Sequence, residues 1–190
     1  MPMTDTTNDR QQVLVAHEAL NAAVEAGSAA LPKETGGILL GFRIPDGLVV
    51  TRFLLVEDDS SSTHSYLRRR RPAQGQLDAA RRHAGAATGY VGDWHTHPKD
   101  VGPSRSDARS MAAACRDAGG PVVLIVLTYS GTEFAHAHAQ IARRTHPGHP
   151  LIRSVDLNVA DMDVLDTTAR SVEHEAETFL QKWTGKHDRN

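Results

Sequence analysis

Residues 92–98 read Gly-Asp-Trp-His-Thr-His-Pro, and the turn-rich segment after them ends in Ser-Arg-Ser-Asp at 104–107. Side chains on an extended strand alternate between faces, so His95 and His97 point the same way. The proline ends any ladder pairing, and Asp107 follows at the predicted start of a helix. A catalytic zinc ion takes three protein ligands and leaves its fourth position to water. This spacing therefore predicts a zinc site held by His95, His97 and Asp107.

The patterns on either side of this stretch predict alternating strands and helices. Asp46-Gly47 is a hairpin turn signal, and Gly119-Gly120 ends the helix that follows the site. The predicted strands span 13–15, 34–42, 48–56, 90–95, 121–129 and 133–141, and the predicted helices span 16–26, 74–87 and 105–118. This order predicts a mixed sheet with helices packed against it.

The composition excludes several classes of protein. The chain has 190 residues, 39% of them hydrophobic and 23% charged, as in one globular domain. A net charge of -2 gives no overall attraction to nucleic acid or anionic lipid. No apolar run reaches the length of a membrane span, and residues 1–10 lack a hydrophobic signal core. With Cys115 as the single cysteine, no intrachain disulfide can form, so we expect a cytoplasmic protein.

The sequence divides into a disordered tail at 1–10, a main domain at 11–144 and a C-terminal extension at 145–190. The first part of the extension, 145–158, is rich in proline and histidine and is predicted to be irregular. Apolar residues then recur at three- and four-residue spacing over 163–183, which predicts an amphipathic helix. We favour docking of this helix on its own domain over a contact in a homodimer.

A polar segment at 57–72 is predicted to be a long loop or insertion. Its arginine run, Arg68 to Arg71, could contact nucleic acid or a protein partner. Because the rest of the chain is not basic, a solvated loop is favoured and nucleic-acid binding is not expected.

Other polar groups offer competing sites. Glu133, His136 and His138 form a second His-x-His pair with a carboxylate, but alternating alanines favour an ordinary strand face. Asp100 is a weaker alternative ligand for the first site, because it is too close in sequence to His97 to reach around easily. Cys115 lies among alanines in a predicted helix and is expected to be a small core residue.

The run His-Thr-His-Pro at 95–98 with Ser104-x-x-Asp107, together with Glu-Thr-Gly-Gly-Ile-Leu-Leu-Gly at 34–41, resembles the JAMM/MPN+ metalloprotease family. The bacterial members are the most similar, and the resemblance covers residues 13 to 140. It implies an α/β fold (α+β in layering), with a mixed, curved β-sheet flanked by helices, similar to cytidine deaminases.

The resemblance also implies the role of each site residue. His95, His97 and Asp107 match the zinc ligands, Glu34 matches the glutamate that activates water, and Ser104 matches the serine that stabilises the oxyanion. Six residues separate His97 from Ser104, where the family usually has seven. Ser106 therefore remains an alternative for the serine role.

The family implies a zinc-dependent isopeptidase or protease that cuts after the C-terminal glycine of a ubiquitin-like or sulfur-carrier protein. Two bacterial settings fit: deconjugation in an antiphage defence operon, and trimming of a sulfur carrier. The alternative is a non-catalytic scaffold of the MPN type. The chemical competence of all five site positions favours the enzyme.

Overall fold

The computed structural model describes residues 11–56, 88–145 and 150–171. The strands are β1 Gln12–Ala16, β2 Gly36–Ile44, β3 Gly47–Leu55, β4 Gly89–His97, β5 Val122–Ser130, β6 Glu133–Arg144, β7 Pro150–Val155 and β8 Leu157–Ala160. The helices are α1 His17–Ala30, α2 Arg105–Ala118 and α3, which begins at residue 162 and continues to 171, where the described range ends. Every strand and helix predicted within the described part of residues 13–141 is present.

The eight strands form one mixed sheet in the order β7-β6-β5-β4-β2-β3-β1-β8. β4 and β5 run parallel because α2 connects them as a crossover. β1 is parallel to both β3 and β8, while the remaining pairs are antiparallel. The predicted α/β fold with a mixed sheet is confirmed, and β4, which carries the histidines, lies in the interior of the sheet.

Opposite faces of the sheet are covered by different helices. On α1, Leu20, Ala23 and Gly27 are buried, and this helix packs on a core that includes Trp94 and Ile125. On the other face, α2 packs Met111, Ala114 and Cys115 against Val122, Leu124 and Val126 of β5. The odd-numbered residues of β5 therefore face α1 and the even-numbered ones face α2, as strand alternation requires. Cys115 is a fully buried core residue, as predicted.

The start of the C-terminal helix docks on its own domain. Leu165 of α3 is fully buried against Ala16, Phe42 and Val49. This packing supports docking of the helix on its own sheet for the part at 162–171.

The prediction that 145–158 is irregular was wrong. Residues 150–155 form β7, which pairs with β6, and 157–160 form β8, which pairs with β1. These two short strands form the opposite edges of the sheet. β7 pairs with β6, the strand just before it in the chain, whereas β8 pairs with β1, more than 100 residues earlier. The proline- and histidine-rich composition of this segment does not indicate either strand.

Several predictions lie outside the described residues: the tail at 1–10, the insertion with Arg68–Arg71, the helix at 74–87 and the helix beyond 171. Among the helices within the described ranges, none is long and apolar enough to cross a membrane.

Candidate metal centre and active site

Three side chains from β4 and α2 converge where β4 ends. His95 Nε2 lies 3.0 Å from His97 Nε2, 3.4 Å separates His95 Nε2 from Asp107 Oδ1, and 3.7 Å separates His97 Nε2 from Asp107 Oδ2. A tetrahedral zinc ion with bonds of about 2.0–2.2 Å places its ligand atoms roughly 3.3–3.6 Å apart. The donor set and its spacing therefore fit zinc.

The tautomer of His97 suits a metal ligand. Its Nδ1 is 2.6 Å from the carbonyl oxygen of Val101. A carbonyl can only accept, so Nδ1 carries a proton, and Nε2, which faces His95 and Asp107, is the nitrogen left to bind a metal ion. A hydrogen bond of this kind fixes the ring and raises its basicity as a ligand.

Asp107 is positioned by the first turn of α2. Ser104 is the N-cap of the helix: its Oγ accepts from the backbone N–H of Asp107 at 3.2 Å, and its own N–H donates to Asp107 Oδ2 at 2.6 Å. This reciprocal capping box fixes the carboxylate beside the histidines. Burial raises the pKa of Asp107, but hydrogen bonding and charge from His95 and the hydrogen bonds from Ser104 outweigh it. The pKa therefore lies well below the usual range, and the group is a carboxylate.

The start of β2 runs alongside the two histidines. The backbone N–H of Thr35 donates to Thr96 Oγ1, and the N–H of Thr96 donates to the carbonyl of Thr35, at 2.9 and 2.8 Å. Gly36 pairs with His95 in the antiparallel register. Continuing that register by two residues puts Glu34, which is exposed, opposite His97.

Asp93 is a further polar group that the sequence did not single out. It lies two residues before His95 on the same face of β4, and Tyr90 Oη donates to its Oδ2 at 2.8 Å. Burial raises the pKa of Asp93 to about 6, against the lowering effects of the Tyr90 hydrogen bond and of His95. The sequence could have indicated this residue, because Asp93 precedes His95 by two positions on a predicted strand and so lies on the same face.

The structure brings together His95, His97 and Asp107 as the sequence predicted, with Ser104 at the base of the same helix. Ser104 and Ser106 are both exposed at the start of α2, and Ser104 is the one that hydrogen-bonds to Asp107. Asp100 does not join this group. Its carboxylate lies instead 3.0 Å from His136 Nδ1, the histidine for which the sequence suggested Glu133 as the partner.

Comparison with known proteins gives a consistent picture. The family model described as prokaryotic homologs of the JAB domain matches residues 16–150. A probable metalloprotease from Sinorhizobium fredii is 30% identical over 118 residues, which cover 59% of this chain and 72% of that protein.

Two solved structures are also similar. The solution structure of a protein from Desulfitobacterium hafniense matches 78% of this chain and 93% of that one, with a TM-score of 0.53 and 16% identity. A JAB1/MPN domain protein from Archaeoglobus fulgidus matches 77% of this chain and 98% of that one, with a TM-score of 0.45 and 16% identity.

Proposed function

Because the chain belongs to the family of prokaryotic homologues of the JAB domain, we propose that it is a zinc-dependent protease whose metal is held by His95, His97 and Asp107. The observation that carries the proposal is the convergence of two imidazole nitrogens and a carboxylate at 3.0–3.7 Å. The name of the Sinorhizobium relative, a probable metalloprotease, supports the same class. When bound, zinc supplies Lewis acidity that activates water and polarises a carbonyl at neutral pH.

The protein's own side chains have distinct tasks in this proposal. Glu34 accepts a proton from the attacking water and later donates it to the leaving amine as the C–N bond breaks. The hydroxyl of Ser104 accepts a hydrogen bond from Asp107 N–H, which leaves its own proton available to donate to the carbonyl oxygen as negative charge develops. His97 and Asp107 are fixed before substrate arrives, so little reorganisation accompanies the reaction.

We further propose that the bond cut follows the C-terminal glycine of a ubiquitin-like or sulfur-carrier protein. The support is the family resemblance and the surroundings of the metal ligands. Their side chains are 12–17% exposed, so the centre is recessed yet open. Val101, whose carbonyl orients His97, is 60% exposed, so a protein substrate can contact it. A glycine tail would let the substrate backbone approach a recessed centre closely.

The test uses zinc removal and a ligand variant together. Chelator-treated protein should lose cleavage of a ubiquitin-like fusion, and added zinc should restore it. The double variant His95→Ala, His97→Ala should lose one zinc equivalent and should not be restored. Cleavage by the double variant at the wild-type rate would reject the proposed centre.

A further inference from the structure

The strand register places two His-x-His pairs on one face of the sheet. His95 of β4 pairs with Val126 of β5, which pairs with His138 of β6. In the next row, His97 pairs with Thr128, which pairs with His136. Because directly opposed residues share a face, all four rings project to the side covered by α2. Two strand spacings, roughly 10 Å, separate the backbones of the two pairs.

The second pair has its own carboxylate. Asp100, in the loop after β4, accepts a hydrogen bond at Oδ1 from Thr128 Oγ1 at 2.8 Å, and the same oxygen is 3.0 Å from His136 Nδ1. One ligand atom from each of Asp100, His136 and His138 lies within 4.8 Å of the others. Two imidazoles and a carboxylate are a donor set preferred by zinc and similar divalent ions.

His138 carries an atom whose bonding is incomplete. Its Nε2 is buried and makes no hydrogen bond within the described ranges. A buried polar atom is normally satisfied, and one without a partner points to a missing group such as an ion or a water molecule. The ring of His138 is also close to the loop, since a Cβ built at Gly102 would lie 3.6 Å from it.

From this cluster we infer a second metal site, in which Asp100, His136 and His138 bind a divalent transition-metal ion such as zinc. It shares no ligand with the proposed catalytic centre. The side chains of His136 and Asp100 are 64% and 43% exposed, so this site binds its ion more weakly than the recessed centre.

A metal ion at this site would fasten the loop between His97 and Ser104. Val101 is already held by His97, and Asp100 is held by Thr128 and His136. Coordination would therefore tie β6 to the segment that leads into the capping serine. The second ion would thus help to position the loop beside the first centre without contacting a reacting atom.

Zinc titration of chelator-treated protein, followed by calorimetry and by metal analysis after gel filtration, tests the inference. The wild-type protein should bind one more equivalent of zinc than the double variant His136→Gln, His138→Gln. The control His17→Gln alters an exposed histidine of α1 and should bind as wild type does. Circular dichroism verifies that each variant is folded.

Asp100→Asn separates a metal site from a simple His–Asp ion pair. Asparagine keeps an oxygen that can accept from Thr128 and His136 but lacks the charge of a ligand. In Asp100→Asn, the dissociation constant of zinc at the second, weaker site should rise at least tenfold. The unfolding midpoint of the metal-free protein should change little. Unchanged stoichiometry in the His136→Gln, His138→Gln variant would overturn the second site. That outcome is independent of the proposed function, which the His95→Ala, His97→Ala variant tests separately.

Discussion

Gly36 lies directly opposite His95, so close that a Cβ atom at position 36 would be 2.3 Å from the carbonyl oxygen of Trp94 and 2.8 Å from the Cβ of His95. Both neighbours belong to the interior strand β4 and cannot move away freely. Glycine at this position therefore preserves the placement of a proposed zinc ligand.

Gly36→Ala should accordingly displace His95. We expect overpacking to lower the free energy of unfolding by about 1–3 kcal/mol. We also expect zinc affinity at the recessed centre to fall about 10–100-fold, as when a group that orients a ligand is disturbed. Zinc titration and urea unfolding of the metal-free protein measure the two effects. Gly102→Ala is the matched control, because its added Cβ meets its neighbours at an ordinary 3.6 Å. Wild-type affinity in Gly36→Ala would show that β2 does not constrain the ligand.

Glu34 should act on water and not on the metal. Glu34→Gln is therefore expected to retain zinc while turnover falls about 10²–10⁴-fold, the usual loss when a general base is removed. The measurements are kcat on a ubiquitin-like fusion and zinc content by metal analysis. Glu133→Gln, which alters an exposed carboxylate on β6, should keep both at the wild-type level. A rate near wild type in Glu34→Gln would leave Glu34 as a surface carboxylate.

Ser104 has a structural task that is separate from any catalytic one. Because its hydroxyl caps α2, Ser104→Ala should lower the free energy of unfolding by about 1 kcal/mol whatever its role in catalysis. If it is also the oxyanion donor, the barrier should rise by about 2.7–4 kcal/mol with zinc retained. Ser106→Ala, at an exposed position, should affect neither quantity. A large loss of kcat in Ser106→Ala instead would assign the oxyanion role to Ser106.

The candidate centre could be predicted from the sequence because its geometry is local. Alternation along β4 aligns His95 with His97, and Asp107 follows at a helix start marked by its own capping residue. The hydrogen bond from His97 to Val101 could not be predicted from the sequence, because every residue has a backbone carbonyl and the residue type does not indicate which one is used. The association of Asp100 with His136 and His138 was missed because it depends on the register of three strands, β4, β5 and β6. Glu133 is nearer in sequence to His136 and His138 than Asp100 is. The β5–β6 hairpin, however, places Glu133 opposite Ser130, past the two histidines along the strand.

The same distinction between local and long-range information applies to the fold. The hairpin of β2 and β3 turns between Ile44 and Gly47, where Asp46-Gly47 predicted it. α2 is capped at its C-terminus by Gly119, whose φ of 67° is the left-handed conformation that glycine adopts most easily. β8 had no such local signal, because its partner β1 lies more than 100 residues earlier in the chain. β7 pairs with β6 just before it, but its segment is rich in proline and histidine, and that composition does not indicate a strand.

The last prediction concerns substrate selection. The proposed metal ligands are recessed, whereas Val101 beside them is largely exposed, so we expect a substrate to insert a slender tail while its body remains outside. A glycine terminus meets the first need, and a folded ubiquitin-like domain supplies surface for contacts away from the scissile bond. Binding energy from such remote contacts raises catalytic efficiency on the full substrate. We therefore expect kcat/KM for a folded ubiquitin-like fusion to exceed that for its isolated C-terminal hexapeptide by at least 10²-fold, about 2.7 kcal/mol.

Val101→Ser should reduce the ratio of kcat/KM for the fusion to kcat/KM for the hexapeptide. The substitution removes exposed apolar surface but leaves the carbonyl that orients His97 in place. The expected loss is in kcat/KM for the fusion, with the hexapeptide rate and zinc content unchanged. Steady-state kinetics on both substrates, with the matched exposed-valine variant Val164→Ser on α3 as control, provide the measurement. Equal kcat/KM for fusion and hexapeptide in the wild-type protein would mean that the folded donor is not recognised. The site would then be that of a general small-peptide hydrolase, since the peptide alone would carry every contact the enzyme uses.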